Sequence, residues 1–472
     1  MSMTQKEKRL QRNIRYMMEV RMNKLLNVAL IVLPFMISWL VYYRSRVCGS
    51  TSIVRTIGMM VMYTMLYCLF ARIYDAFLVS HKRISEIFAG QLLSLSMRDV
   101  FILCVMFVIC GRMPNVFPMA AVLTVQTGLC LLWAYWSHVW FFNRFERQKT
   151  VIIYDRRRYM ENLFRTYGLD KKYDIRAICT VEEFFSGKMK IIEGIDAVFL
   201  GGVHSRERNI IIKHCVANGI DTYMVPRIGD VIMSGAQKMH MFHLPILRVR
   251  RYTPTIEFVI IKRAFDILSS LVVIIVFSPV LLATAIAIKL HDGGPAIYKQ
   301  VRLTKDGKEF EIYKFRSMRI DAEKDGVARL SSGDNDDRIT PIGHIIRKYR
   351  LDELPQLFNI LRGDMSVVGP RPERPEIAAQ YEKELPEFAL RLQAKAGLTG
   401  YAQVYGKYNT DPYDKLQMDL MYIANPSIWE DMKIILATIY VLFVKESTEG
   451  IQANQVTAMA HEADDKEMDK TA

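Results

Sequence analysis

Four apolar stretches fill the first third of the chain, three of them long enough as they stand to cross a bilayer. The first, Leu25–Tyr43, follows a polar and basic start (Lys6, Lys8, Arg9, Arg12, Arg15, Arg21, Lys24). Tyr42-Tyr43-Arg44 offers no small-residue cleavage site, so this run reads as an anchor rather than a signal peptide. Ile53–Ala71 and Phe117–Phe142 are the second and fourth. The third is less clean: Phe101–Cys110 is too short alone, so its helix must begin near Ile84–Ala89 and carry Arg98 and Asp99 inside. Charges within a membrane are costly and suggest function; the plainer reading sets the pair near one end or facing the other helices. Basic residues favour the N-terminus, the 72–83 loop and the segment after Asn143, which puts both ends of the bundle in the cytoplasm.

From Thr150 the period changes. Val151–Tyr154, Ala197–Leu200 and Thr222–Val225 read as buried strands with helical segments between them, the alternation of a small doubly wound α/β domain. After the first strand stands Asp155-Arg-Arg-Arg-Tyr instead of a glycine-rich turn, which argues against dinucleotide binding. His240 and His243 lack a further ligand pair and read as ordinary histidines. A further apolar run, Ala264–Lys289, is preceded by Lys262 and Arg263 and interrupted at Ser278-Pro279. As a straight span it would carry everything after residue 290 across the membrane; as a kinked re-entrant hairpin it would return that part to the side it started from. Ala296–Arg302 and Phe310–Phe315 read as strands joined by a Lys305-Asp-Gly-Lys turn. Trp429–Lys445 is expected as a helix lying at the membrane surface, with Glu430, Asp431 and Lys433 in its first turn. The tail after Ile451 is polar and acid-rich and reads as disordered.

Composition fits a chain that is part membrane and part water-exposed: 51% of residues are hydrophobic and mean hydropathy is positive. The net charge of +14 points to anionic lipid or anionic substrates, because basic residues flank apolar segments and no nucleic-acid motif occurs. Seven cysteines with no CxxC pair indicate neither a zinc site nor a disulfide framework.

The chemistry concentrates between Arg347 and Glu373. Adjacent carboxylates, Asp352 and Glu353, follow the basic cluster Arg347, Lys348 and Arg350, and the stretch closes on Gly369-Pro370-Arg371-Pro372. Neighbouring residues diverge by about 100° on a helix and cannot share a face. They can converge where a helix begins, and Pro355 with Leu354, Leu357, Phe358 and Leu361 predicts a helix beginning there. A positive helix start with arginines around two carboxylates is a phosphate site. One carboxylate attacks phosphorus or activates the group that does, and the other holds a hard cation.

The run from Arg347 to Glu373 closely resembles the bacterial sugar transferase family, monotopic polyprenyl-phosphate sugar-1-phosphate transferases. Further ordered blocks carry the same resemblance: Lys314-Phe-Arg-Ser-Met318, Arg338-Ile-Thr-Pro-Ile-Gly343, Gly397-Leu-Thr-Gly-Tyr-Ala-Gln403 and Met418-Asp-Leu-Met-Tyr422. It covers about residues 255–450. The fold it implies is an α-helical membrane bundle plus α/β: four transmembrane helices over 1–147, a Rossmann-like accessory domain over 148–250, and a mainly α catalytic domain over 251–450 with a re-entrant helix at 257–291. The disordered tail is 451–472.

The implied reaction moves sugar-1-phosphate from a UDP-sugar to undecaprenyl phosphate and releases UMP, priming an exopolysaccharide, capsule or O-antigen type of glycan. By resemblance Asp352 attacks the β-phosphorus and forms a phosphosugar-aspartyl intermediate, while Glu353, with Asp352, binds Mg²⁺. Arg347 is expected on a phosphate, and Arg371, held between Pro370 and Pro372, on the nucleotide phosphates or the uridine. Lys314 and Arg316 share a strand face and are weaker candidates, and Ser278 with Pro279 forms the membrane kink. Lys299 and Arg302 read as surface charges or lipid-headgroup contacts, and Asp334, Asp336 and Asp337 as a polar loop. Ala396, Tyr401 and Tyr405-Gly-Lys407 depart from the family's usual residues, which leaves the sugar open. Expected partners are the UDP-sugar, undecaprenyl phosphate and membrane lipid; a homodimer is compatible, and nucleic acid is not expected. The expected location is the bacterial plasma membrane with catalysis on its cytoplasmic face. Two alternatives stand beside this reading. One is a catalytically weak scaffold for polysaccharide assembly; the other is a transferase that adds sugar to an already primed lipid, by attack at the anomeric carbon.

Overall fold

The structure is a computed structural model, and it describes residues 5–47, 53–155, 164, 168–186, 192, 194–319, 338–406 and 411–441. Asp334, Asp336, Asp337, Lys407 and the tail lie outside these residues. The chain forms two compact units, residues 1–225 and 226–472. Five helices among the described residues are long and apolar enough to cross a membrane, and they make this a membrane protein with a mixed α/β part toward its C-terminus.

Four of the five belong to the first unit: α1 (Gln5–Ser38, continued by a π-helical turn at Trp39–Tyr43 and a last turn to Val47), α2 (Ile53–Ile73), α3 (Ile84–Cys110) and α4 (Phe117–Arg144). Their buried residues recur at helical spacing, as with Ile31, Phe35, Trp39 and Tyr43 on α1 and Met59, Tyr63, Tyr67 and Ala71 on α2. Their opposite faces expose Leu33, Val41, Val54, Val108 and Leu132, the all-round apolarity of helices solvated by lipid.

Arg98 and Asp99 lie in the middle of α3 and face the other helices, as the plainer sequence reading held. Arg98 is fully buried; its Nη2 donates to Asp99 Oδ1 at 2.7 Å and to Gln126 Oε1 at 2.8 Å, and its guanidinium carbon sits 4.0 Å from the Tyr63 ring centroid. Gln126 Nε2 donates to Tyr63 Oη at 2.7 Å, and Tyr67 Oη donates to Asn27 Oδ1 at 2.5 Å. All four helices contribute, so these polar groups hold the bundle in one arrangement where lipid offers no alternative partner.

After α4 comes a parallel sheet of β1 (Gln148–Tyr154), β2 (Tyr173–Thr180), β3 (Ala197–Gly201) and β4 (Asp221–Met224), in the order 2-1-3-4. Val151, Ile153, Val198 and Leu200 are its buried centre, and the helix Ser205–Ala217 packs Ile211 and Cys215 against it. Its central strands β1 and β3 are buried runs, as expected of parallel strands covered on both faces, while the edge strands β2 and β4 are partly exposed.

Segment 226–250, grouped by sequence with this α/β part, packs in the second unit. There Ile228 and Val231 of the helix Ile228–Ser234 join the main core, with Leu357, Ile360, Leu416 and Leu420. His240 and His243 are exposed on the hairpin that follows. The long helix α5 (Ile256–Asp292) comes next; Thr255 Oγ1 caps it by accepting from Phe258 N at 3.3 Å, and Gly293 ends it at φ 70°. Pro279 leaves the carbonyl four residues back, Ile275 O, without its helical donor, and Ser278 Oγ donates to that oxygen at 2.8 Å.

Both arms of α5 pack on this unit. In the first arm Asp266 and Ser270 are buried; in the second Ile288 is buried against Phe315 and Ile346. Between them, Ile275 to Val280 are all exposed. Downstream come the antiparallel pair β5 (Ile297–Leu303) and β6 (Glu309–Phe315), then the helices α6 (Pro341–Lys348) and α7 (Gln356–Arg362). A parallel pair, β7 (Ser366–Val368) and β8 (Gly397–Thr399), with the helix Pro375–Glu384 and the 3₁₀ segment Pro386–Gln393 between them, is followed by a short helix, Tyr401–Tyr405, and by α8 (Pro412–Ala424) and α9 (Ile428–Val441).

The foot of α5 is fastened by charge. Asp266 accepts from Ser366 Oγ at 2.8 Å, Val367 N at 3.2 Å and Lys262 Nζ at 3.3 Å. Lys262 also pairs with Asp431 of α9 at 2.8 Å, and Arg263 donates to Ile360 O and Leu361 O at 2.6 and 2.7 Å, closing the end of α7. Asp431, read from sequence as part of a surface helix start, is instead fully buried and accepts from Tyr422 Oη at 2.8 Å.

Candidate active site

Asp352 and Glu353 occupy a 3₁₀ turn, Leu351–Glu353, between α6 and α7. The dyad is therefore not part of α7, whose first residue is Gln356, although Pro355 directly precedes that helix as the spacing predicts. The difference originates at Arg350, whose left-handed backbone (φ 55°) turns the chain after α6 and starts the new turn.

The scaffold below the dyad explains the neighbouring motifs. Asn359 of α7 is fully buried and bonds to the backbone of β6 twice: Tyr313 N donates to its Oδ1 at 2.9 Å, and its Nδ2 donates to Glu311 O at 2.7 Å. That pairing sets Lys314 beside the dyad. Thr340 caps α6 by accepting from Gly343 N at 3.0 Å, and a Cβ at Gly343 would meet Ser317 O at 1.9 Å, so only glycine fits there.

Around Glu353 the cations converge. Arg371 Nη2 donates to Glu353 Oε1 at 2.9 Å, while Lys314 Nζ and Arg350 Nη1 each stand 3.9 Å from the same oxygen. Burial pushes the Glu353 carboxyl up, but Arg371, Lys314 and Arg350 outweigh it and hold it at about 2, so it is a fixed anion. Asp352 differs. Burial, followed by the Glu353 charge, raises its carboxyl above the usual range against the pull of Lys314, Arg347 and Arg350. Its Oδ1 is buried with no hydrogen-bond partner. Burial also pushes Lys314 down to about 8.

The Pro370-Arg371-Pro372 turn is braced from behind by residues the sequence reading gave no role. Arg391, buried in the core, donates to Arg371 O at 2.9 Å and holds Asp419 at 2.7 Å and Glu373 at 3.5 Å. Arg302, read as a surface charge, is mostly buried; it donates to Pro372 O at 3.1 Å and to Gln300 Oε1 at 2.6 Å. Desolvation lowers Arg302 to about 10, still far above neutral, so it remains a cation. The turn's approach to β8 depends on glycine: a Cβ at Gly369 would meet Lys395 O at 2.2 Å, and one at Gly397 would meet Gly369 N at 2.1 Å. The Gly397–Gly400 block is thus wedged against the turn that carries Arg371.

Of the residues expected at the site, the structure brings together Asp352, Glu353, Lys314 and Arg371, and brings Arg347 close enough to act on Asp352. Pro370 and Pro372 are buried at the base of the turn. Arg316 is buried one residue beyond β6, its N–H donating to Ala296 O at 2.9 Å. Ser278 and Pro279 lie on the exposed middle of α5, apart from this cluster in the chain. Arg391, Asp419 and Asn359 were missed; their sequence signal was a polar residue inside an otherwise apolar helical pattern.

The sequence pattern of the bacterial sugar transferase family matches residues 257–445. The exopolysaccharide production protein PSS of Rhizobium leguminosarum bv. phaseoli is 45% identical over 200 residues, covering 40% of this chain and 97% of that protein. The UDP-N-acetylgalactosamine-undecaprenyl-phosphate N-acetylgalactosaminephosphotransferase of Aeromonas hydrophila is 38% identical over 231 residues, 48% of this chain and 53% of its own. The UDP-glucose:undecaprenyl-phosphate glucose-1-phosphate transferase of Escherichia coli (strain K12) is 37% identical over 220 residues, 46% of this chain and 45% of its own. The chain belongs to the bacterial sugar transferase family. Its match spans about half the length of the last two relatives.

Proposed function

We propose that the chain transfers sugar-1-phosphate from a UDP-sugar to undecaprenyl phosphate, with Asp352 as the nucleophile. A single observation carries this: a half-buried aspartate with one oxygen lacking a hydrogen-bond partner, at the edge of a cationic cluster whose other acid is already ion-paired. A phosphate drawn to Arg371, Arg347 and Lys314 would meet that oxygen rather than Glu353. Relatives named as undecaprenyl-phosphate sugar phosphotransferases support the substrate class.

In the first step an Asp352 oxygen forms a bond to the sugar-bearing β-phosphorus. The bond from that phosphorus to the bridging oxygen breaks, and UMP leaves with the electron pair. In the second, an oxygen of undecaprenyl phosphate attacks the same phosphorus, restores the Asp352 carboxylate and carries away the sugar as a lipid diphosphate. Splitting the transfer lets a soluble donor and a lipid acceptor use one small site in turn. Arg371, tied to Glu353 and braced by Arg391, orients the diphosphate; Lys314 and Arg347 offset its charge. Mg²⁺ suits the free hard oxygen of Asp352 and the adjacent carboxylate of Glu353, and when bound would lower the charge on the diphosphate and on departing UMP.

In the same reading α5 is re-entrant. Its two arms pack on one unit, the six residues between them are exposed, and Ser278 supplies the donor that Pro279 lacks. The active site then faces the cytoplasm, where nucleotide sugars are made, at the plasma membrane. Residues 148–225 serve as a Rossmann-like accessory domain without a nucleotide, and a homodimer is compatible with this arrangement.

The test is UMP release from a panel of UDP-sugars by purified protein with Mg²⁺ and undecaprenyl phosphate, beside Asp352→Asn. Lipid-dependent release abolished by the substitution supports the proposal, and the best donor names the sugar. No release with any donor would leave the scaffold reading.

A further inference from the structure

A groove of about 810 Å³ runs between α1 and α4 in the first unit, where the apolar sequence of α1 gives way to polar and basic residues. One end is apolar: Met22, Leu26 and Trp136 line it and are exposed, and Trp136 stacks on Trp140 with ring centroids 6.1 Å apart. The other end is charged. Glu19 lies between two arginines: Arg15 Nε donates to its Oε1 at 2.8 Å, and Arg144 Nη2 and Nε donate to its Oε1 and Oε2 at 3.0 Å. From Arg15 to Leu26 the groove follows about 16 Å of helix axis.

Two guanidiniums and one carboxylate leave a local charge of +1. A single carboxylate cannot use the donors of two guanidiniums, which carry five N–H groups each. Both arginines are exposed, with side-chain accessibilities of 68% and 44%. Tryptophans mark the headgroup level of a bilayer, and basic pockets between membrane helices take anionic headgroups. A second copy of the chain related by a two-fold axis would bring the same positive charge to the same face, which is unfavourable.

We propose that this groove is a site for one anionic phospholipid. The acyl chain lies along Met22, Leu26 and Trp136, and the phosphodiester, with its single negative charge, sits against Arg15 and Arg144. The site is independent of the reaction proposed above.

Native mass spectrometry of the full-length protein, released from micelles containing equal amounts of phosphatidylglycerol and phosphatidylethanolamine with the same chains, tests it. The expected result is preferential retention of one phosphatidylglycerol. Arg15→Gln and Arg144→Gln should each lower that preference about fivefold and Glu19→Gln should raise it about as much, the effect of one unit charge at a membrane surface. Trp136→Ala should reduce retention of both lipids alike. Equal retention of the two lipids would overturn the proposal, as would Glu19→Gln and Arg144→Gln acting in the same direction, which would mark the cluster as a helix fastener only. Retention of added undecaprenyl phosphate in place of phosphatidylglycerol, or a lipid-free dimer, would also overturn it.

Discussion

Asp266 is buried and Asp352 half-buried within the second unit, and they differ in how their oxygens are met. Both oxygens of Asp266 are met: Ser366 Oγ reaches one, Val367 N and Lys262 Nζ reach the other, and the result is a joint between the foot of α5 and β7. Asp352 has cations in its field and still keeps one buried oxygen without a donor. Leaving a buried acceptor unpaired costs about 1–3 kcal/mol. An acid with both oxygens hydrogen-bonded is a fastener, whereas an acid with an oxygen left without a donor has one to offer a substrate or a cation.

The largest expected contrast comes from exchanging each acid for a neutral residue. Asp352→Asn should lower UMP release by at least about a thousandfold, the scale on which loss of a nucleophile is felt, and leave the melting temperature in detergent close to that of the parent. Asp266→Ala should do the reverse. It strips Val367 N and Ser366 Oγ of their acceptor and leaves Lys262 with Asp431 alone, so it should destabilise the protein by about 3 kcal/mol. Turnover per folded molecule should be largely retained. A thermal melt and an activity assay on both variants would break the comparison if the two effects were swapped.

Arg371→Ala removes the closest cation from Glu353 and the donor aimed at the diphosphate. Losing one charge-assisted contact of about 2 kcal/mol corresponds to roughly thirtyfold in kcat/KM. The smallest effect concerns pH. Asp352 must be a carboxylate to attack, and its pKa is raised, so kcat/KM should fall on the acid side as pH drops through that value. Lys314 is cationic below about 8 and neutral above, so a second decline should set in there. Lys314→Arg, which stays charged, should move the alkaline limb upward and leave the acid limb in place. An unchanged alkaline limb would remove Lys314 from the cradle.

The membrane helices were readable because a run of about twenty apolar residues fits few structures besides a membrane helix. Helices α1 to α4 cover every predicted span of the first unit, and α3 reaches back to Ile84 as the shortness of Phe101–Cys110 required. The strand β2 was missed although Tyr173-Asp-Ile-Arg-Ala177 alternates as an edge strand does, because it lacks the continuous buried run by which β1 and β3 were read. At the site, Asp352, Glu353 and Arg371 lie close together in the chain and could be read together. Arg391 lies outside that stretch and carries no motif of its own; it acts through a hydrogen bond to the backbone of Arg371, and Asp419 acts only by pairing with Arg391, contacts that the fold creates. Arg302 misled for a related reason: an arginine in an alternating strand looks exposed, whereas the 370–373 turn covers it.

The most direct measurement uses the donor alone. Protein incubated with a UDP-sugar and Mg²⁺ without lipid acceptor, then digested with trypsin after Arg350 and Arg362, yields the peptide 351–362. Mass spectrometry should find one sugar-phosphate on that peptide at Asp352. The adduct should be lost on adding undecaprenyl phosphate and missing from Asp352→Asn. An adduct on another peptide, or lipid-dependent UMP release with no adduct at any time, would contradict Asp352 as the nucleophile.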